Sequence, residues 1–461
     1  MRPAHTVAQV RAAEEPLLAA GVPLMQRAAT GLAVRVARRL PFVYGARVVL
    51  LVGSGNNGAD ALWAGAWLAR RGAAVVAVPA GEVVPDALAA FLRAGGRVGT
   101  TQALAGAEVV LDGLVGIGGK GPLREAAAGL LAEVPDDALL VAVDVPSGVD
   151  ADTGEAHPGA VRADVTVTFG TLKPGLLLAR DHVGDLELVD LGLPLPPAQV
   201  EVLTDADVPV LHPRPARAHD KYSRGVLGVA AGSPSYTGAA VLAVSAAIAA
   251  GAGMVRYVGA GEVASLVRQR CPEAVLSPDL ASTGRVQAWA LGPGIGLDAA
   301  DLVLQVLQAD VPVLVDADGL TLLAKHPQLV RRRSAATVLT PHDREFERFG
   351  VPVGADRVAA ARWLARDLDV HVLLKGDATV VAAPDGRVRV NTTGTARLAT
   401  AGSGDVLSGA VGSLLAQGLD AFDAAALGAH LHGLAGQRCR GGAASLVEAW
   451  PELLRDLGAG D

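Results

Sequence analysis

The stretch Thr400-Ala401-Gly402-Ser403-Gly404-Asp405-Val406-Leu407-Ser408-Gly409 puts an acid behind a run of small residues. A helical apolar pattern follows at once in Val406, Leu407, Val411, Leu414 and Leu415. The stretch therefore reads as a loop feeding a helix N-terminus. Unpaired backbone N–H groups there attract anions, and glycines let a phosphate come close. A carboxylate is out of place in a site that only holds phosphate, because like charges repel. It has a use if Asp405 takes the proton from a hydroxyl that then attacks a phosphoryl group held by the loop. The competing reading is a first-turn acid that complements the helix dipole.

Other residues able to do chemistry stand where strands end. Arg47-Val48-Val49-Leu50-Leu51-Val52 is a continuous aliphatic run, suited to a central parallel strand buried on both faces. It ends at Gly53-Ser54-Gly55-Asn56-Asn57-Gly58-Ala59-Asp60. Val109-Val110-Leu111 ends at Asp112 and the loop Gly113 to Pro122, and Leu139 to Val143 ends at Asp144-Val145-Pro146-Ser147-Gly148-Val149-Asp150. In open α/β sheets ligands bind beyond the carboxyl ends of the strands, so polar exits on three strands converge on a site. The second half repeats the habit. Its exits are Gly232-Ser233-Pro234, Gly292-Pro293-Gly294-Ile295-Gly296, Asp316-Ala317-Asp318, Pro341-His342 and Lys375-Gly376, and an Asn391-Thr392-Thr393-Gly394 turn precedes the anion loop.

The elements that carry these exits alternate. His5 to Leu18 and Pro23 to Leu40 read as amphipathic helices, and helices are expected over Ala61 to Arg71, Val84 to Ala94, Glu125 to Ala132 and Ala239 to Ala250. Strands are expected over Ala74 to Val78, Val165 to Phe169, Leu186 to Val189, Gly225 to Ala230, Met254 to Val258, Gln287 to Leu291, Val313 to Val315, Thr337 to Thr340 and Val370 to Leu374. A β-hairpin joins Val380 to Ala383 with Val388 to Val390. Such alternation means α/β architecture with doubly wound sheets. The proline-rich segments Pro194-Leu195-Pro196-Pro197 and His212-Pro213-Arg214-Pro215 place a junction near Asp205, giving domains 1–204 and 205–461.

At 461 residues, two or three domains fit. A net charge of −7 and 3% aromatics leave no footprint for nucleic acid and no base-stacking platform. The two cysteines, Cys271 and Cys439, suggest no metal pairing, and a reducing, cytoplasmic setting is expected. Gly238 to Val255 carries no charge and could mimic a membrane span, but its alanines give little drive for insertion. A buried helix against a sheet explains it better, and no membrane partner is expected.

Asp405 at a helix start, Lys375-Gly376 at a strand exit and the Asn391 turn together resemble the ribokinase-like fold and its GxGD loop. The full set is more specific. GSGNNGAD with VDVPSGVDADTG, followed by LGPGIG, VDADGL, TPH, LKG, NTTG and GSGDVLSG, resembles the bifunctional NAD(P)H-hydrate repair enzymes over nearly the whole chain. The resemblance implies a Rossmann-like N-terminal domain that epimerises C6 of hydrated NADH or NADPH. It implies a ribokinase-like C-terminal domain that dehydrates the S epimer with ADP or ATP as phosphoryl donor. Hydroxide leaves poorly and phosphate leaves well, so phosphorylating the hydroxyl is work for a kinase fold.

Carried onto this sequence, the resemblance implies that Asn56, Asn57, Gly58, Ala59 and Asp60 cradle the hydrate, with Gly116, Ile117, Gly118, Gly119, Lys120, Gly121 and Pro122. It implies a potassium ion on Asn57, Asp112 and Ser147, with Asp144 touching the substrate and moving a proton. In the second domain Ala239, Gly294, Gly296 and His342 would line the hydrated nicotinamide pocket. Lys375, Gly376, Asp377, Ala378, Thr379 and Gly404 would hold ADP, Mg²⁺ would accompany its phosphates, and Asp405 would be the base. A homo-oligomer is expected. Ala59 and Ala61 stand where the family usually has glycine, and would cost about 1 kcal/mol if φ were positive there. Asp343-Arg344 replaces the usual Pro-Gly after the histidine, while Glu345 is kept.

A different reading is a ribokinase-type small-molecule kinase whose N-terminal domain only binds or anchors. Residue by residue, simpler roles also stand: a strand-end cap for Asp112, turn residues for Ser147 and His342, solvated lysines for Lys120 and Lys375.

Overall fold

The computed structural model describes residues 1–214, 218 and 220–459, so Pro215 lies outside the described residues. Two compact units result, one of residues 3–199 and one of residues 1–2 with 200–461. The division falls between Gln199 and Val200, a few residues before Asp205. The reason is that Val200–Val202 is a strand of the second sheet, in register with Val388–Asn391. Three residues of that length give no periodic signal in the sequence.

The first unit holds seven parallel strands in the order Arg97–Val98, Ala74–Pro79, Arg47–Val52, Val109–Gly113, Leu139–Val143, Val165–Phe169, Asp185–Val189. The chain winds outward from Arg47–Val52, then returns to add Val109–Gly113 on the other side. Those two neighbours form the switch point, where the loops leaving adjacent strands diverge and open a crevice. Leu32, Leu50, Leu62 and Phe91 are wholly buried in the core beneath it.

Among the described residues, ten strands lie wholly within the second unit. From Val275–Ser277 through His371–Leu374 the pairs are parallel, and Thr379–Ala382 and Val388–Asn391 add the antiparallel hairpin. Its switch point lies between Val226–Ala230 and Ala288–Leu291. The charge-free stretch is the helix Thr237–Ala249, which packs against the helix Ser403–Ala416. No single described helix is long and apolar enough to cross a membrane. Small residues let the two helices approach closely: a Cβ on Gly409 would lie 2.1 Å from the Ala243 carbonyl oxygen.

One boundary differs in a way that matters. The first motif is not a loop before a helix at Ala61; the helix Asn56–Ala69 begins inside it. Ala59 and Ala61 are therefore helical, φ is not positive at either, and alanine is favoured there. The glycines that the fold requires are Gly53 and Gly58: a Cβ would fall 1.9 Å from the Leu114 oxygen at the first and 2.1 Å from the Gly53 oxygen at the second.

Two substitutions test this packing by urea unfolding. Gly409→Ala should destabilise by about 1–3 kcal/mol through overpacking. Ala59→Gly, which restores the usual residue, should destabilise by about 0.5–1 kcal/mol rather than relieve strain.

Candidate active sites

In the first unit the loops at the switch point enclose a cleft of about 980 Å³. Asn56, Asn57, Asp60, Asp144 and residues 116–122, with Lys120 among them, all line it. Gly58 and Ala59 sit behind this wall, buried in the helix. Asp112 and Ser147 are completely buried and do not line the cleft. Asp112 accepts from the Ser147 hydroxyl at 2.6 Å and from the Ser147 and Leu114 amides at 2.8 and 3.3 Å. Ser147 Oγ also accepts from the Val115 amide at 2.9 Å. Asp112 and Ser147 thus fix the loop that carries Gly116, and a Cβ on Gly116 would meet the Asn57 side chain. Burial outweighs these hydrogen bonds and pushes the Asp112 carboxyl up to about 6.

Asp144 is the first residue past its strand and holds a left-handed φ of +65°. Such strain persists where surrounding contacts fix it. Its Oδ1 accepts from the Lys173 ammonium at 2.6 Å, Thr168 Oγ1 at 2.9 Å and the Phe169 amide at 3.1 Å. Lys173 is 1% exposed and also donates to Thr168 Oγ1 and the Phe169 carbonyl, each at 2.9 Å. Sequence reading gave no role to Lys173 or Glu14, both of which line the cleft. The signal for Lys173 was a charged residue set before Pro174 directly after an apolar strand and turn.

In the second unit, Gly402 takes φ +87° as the N-cap of Ser403–Ala416, and Asp405 lies in the first turn. The Gly404 and Asp405 amides have no carbonyl partner within the helix. The Asp405 carboxylate accepts no hydrogen bond from any described residue. Burial and the nearby Asp316 push it up to about 6, against the pull of Lys375. Asp316 is 2% exposed and is held from both sides: Lys375 Nζ donates to Oδ1 at 2.7 Å and Ser408 Oγ to Oδ2 at 2.6 Å. Lys375 also pairs with Glu345 at 3.6 Å. Burial lowers the Lys375 ammonium, and Asp316 and Glu345 more than restore it. A Cβ on Gly404 would lie 3.7 Å from Lys375 Nζ, so the anion loop and the strand exit face each other.

The remaining predicted residues join this rim. Gly294, at φ +61°, touches Ala239: a Cβ there would lie 2.9 Å from that of Ala239. The Gly296 amide donates to Asp318 at 3.0 Å. His342 caps the helix Asp343–Phe346, with its Nδ1 accepting from the Glu345 amide and its own amide donating to Glu345 at 2.9 Å. Half of its side chain remains exposed. Gly376, Asp377 and Ala378 form the turn between two antiparallel strands, with Thr379 opening the second. The unusual Asp343 has a use: Arg357 bonds both its oxygens, at 2.8 and 3.0 Å, and the Lys375 carbonyl at 2.8 Å. Nothing in the structure explains Arg344. Asp316 and Ser408 lay inside quoted motifs without a role, since only the folded chain brings them together.

Two doubly wound halves, the second with an unsatisfied carboxylate at a phosphate-type helix start, define an α/β enzyme with a ribokinase-like C-terminal domain. Family models described as "NAD(P)H-hydrate dehydratase" and "YjeF-related protein N-terminus" match residues 227–450 and 21–175. The bifunctional NAD(P)H-hydrate repair enzyme Nnr of Mycobacterium leprae is 51% identical over 404 residues, covering 85% of this chain and 84% of that protein. That of Corynebacterium glutamicum is 38% identical over 474 residues, covering 84% and 82%. The chain belongs to the bifunctional NAD(P)H-hydrate repair enzyme family. The crystal structure of the Bacillus subtilis ADP/ATP-dependent NAD(P)H-hydrate dehydratase, co-crystallised with ATP/Mg²⁺, matches 56% of this chain and 99% of its own at TM-score 0.51 and 30% identity. A ribokinase-like superfamily protein of Enterococcus faecalis shares the fold at TM-score 0.52 and 23% identity, over 57% of this chain and 97% of its own.

The raised Asp405 carboxyl has a stability consequence. A folded value of about 6 against an ordinary 3.8 means the folded chain binds the proton more tightly than the unfolded one. Stability is then lost as pH rises between those values and stays lost above them. Asp405→Asn removes this penalty. Its stability relative to the unsubstituted chain should rise through that interval to a plateau. The shift bounds the gain at about 3 kcal/mol, and remaining solvent access lowers it toward 1. Urea unfolding from pH 4 to 8 checks both sign and window.

Proposed function

We propose that the chain repairs hydrated nicotinamide cofactors in two steps. The N-terminal cleft interconverts the R and S hydrates of NADH and NADPH. The C-terminal site dehydrates the S form with ADP as phosphoryl donor. The observation that carries the reading is the bare Asp405 carboxylate between a helix N-terminus and the buried Asp316–Lys375 pair. A base of this kind, poised near neutral pH, suits removal of a proton from the C6 hydroxyl as the phosphoryl group arrives. The Gly404 and Asp405 amides would hold phosphate oxygens, and the turn from Gly376 to Thr379 would take the nucleotide. The phosphate ester then leaves with help from the ring nitrogen lone pair.

Among the described residues no cluster of three or more acidic, histidine or cysteine side chains could cage a metal. Mg²⁺ would ride on the nucleotide phosphates, where it would neutralise charge developing there. Potassium fits the first site on its donor chemistry. Asn57 Nδ2 is buried without a partner. Exchanging the amide atoms would put an oxygen there, which a hard cation needs. Asp112, raised by burial, would stay ionised beside such a charge. Asp144 Oδ2 accepts no hydrogen bond from a described residue and would be the atom that moves a proton in epimerisation. Both cysteines are buried and unpaired, which suits a reducing cytoplasm.

Recovery of 340-nm absorbance from pure S hydrate with ADP tests the second step, and the rate of R-to-S conversion without nucleotide tests the first. Asp405→Asn should abolish dehydration, at least 10³-fold, and leave epimerisation and nucleotide binding intact. Asp144→Asn should do the reverse. ADP-dependent kinase activity on a sugar, with none on the hydrate, would overturn the reading.

A further inference from the structure

The cleft of the first unit holds a second carboxyl whose surroundings are the opposite of those of Asp144. Asp60 lies in the second turn of the helix Asn56–Ala69 and lines the same cleft. Its Oδ1 is buried with no hydrogen-bond partner. Asp144 Oδ1, by contrast, takes an ammonium, a hydroxyl and an amide. One acid therefore has its charge matched by a buried ammonium, and the other has a buried oxygen with no partner. Two carboxyls whose environments push them apart are the usual form of an acid–base pair.

We infer that Asp60 is a second catalytic carboxyl of the epimerase site, acting on the ring nitrogen of the hydrate while Asp144 acts on its C6 hydroxyl, with Lys173 positioning Asp144. The inference rests on the epimerase reading above. C6 of the hydrate carries both the hydroxyl and the ring nitrogen N1, so it is a hemiaminal carbon. Asp144 takes the hydroxyl proton and the O–H pair forms the C6=O bond. The C6–N1 bond breaks, its pair goes to N1, and N1 takes the proton of Asp60. N1 leaves readily because its lone pair is conjugated to the ring carboxamide. The open aldehyde turns about C5–C6. N1 then adds to the other face of C6, Asp60 regains its proton from N1, and Asp144 returns one to oxygen. Protons and electrons balance with no co-reactant.

The groups facing Asp60 agree with this assignment. Burial, Asp144 and Glu14 all push its carboxyl well above the ordinary range, and only Lys173 opposes them. Glu14, on the helix Val7–Ala19, is raised less and by the same causes, burial and then Asp144, with Lys173 and Arg11 opposing. All three ammonium hydrogens of Lys173 have acceptors in Asp144, Thr168 and Phe169, which fixes it as the group that positions Asp144.

The test is the pH profile of R-to-S conversion by the full chain, followed by chromatography of the two epimers. The unsubstituted chain should show an alkaline limb, where Asp60 loses its proton. Asp60→Asn should lower kcat at least 10²-fold and remove that limb, while dehydration of S hydrate by the same preparation is unchanged. Asp60→Glu should recover part of the rate and the limb, which a merely structural residue would not do. Lys173→Met should lower kcat more than it changes KM, with Lys173→Arg partly restoring kcat. Conversion by Asp60→Asn within twofold of the unsubstituted chain would overturn the inference, as would loss of the limb in Glu14→Gln instead. Should Asp60→Asn also lose dehydration, Asp60→Glu decides: failure to recover the limb overturns it. Should the unsubstituted chain convert no hydrate, the epimerase reading itself has failed.

Discussion

The C-terminal site depends on leaving one carboxylate unsatisfied. Nearly every other buried acid there has donors: Asp316 is bonded on both oxygens, and Glu345 is tied to Lys375 and the His342 amide. Asp405 has none, and burial and then the nearby Asp316 push it up to about 6. Folding opposes such a group, so other contacts must hold the site in place. They do so through the close seam between Ser403–Ala416 and Thr237–Ala249, where alanine and glycine remove the bulk that would hold the helices apart. The helix that presents Asp405 also carries the free first-turn amides, so one rigid body sets the distance between carboxylate and amides.

The two units solve the same problem by the same geometry. Each winds the parallel strands of its sheet out in one direction and back in the other, and the strand exits diverge at the resulting switch point. Positive φ recurs at the strand exits, in Asp144 and Ala317 as well as in Gly292 and Gly294. The acids that line the sites are held by elements that cannot easily move. Lys173 does this for Asp144 and Lys375 for Asp316, each as a buried or partly buried ammonium with its charge already matched. Neither lysine is a solvated side chain at a strand end.

Much of this was legible in the chain. Long aliphatic runs ending in glycine and acid named the central strands and their exits, because a strand buried on both faces has few ways to be written. The ordered motifs named the family. What was not legible has physical causes. Short strands such as Val200–Val202 and Arg97–Val98 are fixed by neighbours rather than by their own pattern. The helical state of Asn56 to Asp60 was hidden by glycines and asparagines, which signal turns when read alone. The partners of Asp144 and Asp316 lie 29 and 59 residues away, and only the sheet brings them within hydrogen-bond reach. His342 was read as a pocket residue and as a capped turn; the fold makes it a cap and leaves half of the ring exposed.

At the centre stands the claim that Asp405 turns an alcohol into a leaving group before the carbon–oxygen bond breaks. The most direct measurement is a single turnover of S hydrate carrying ¹⁸O in its C6 hydroxyl, in the presence of ADP, with mass analysis of the products. Phosphorylation ahead of elimination puts the heavy oxygen into inorganic phosphate. Heavy oxygen recovered in water, with phosphate at natural abundance, would contradict it.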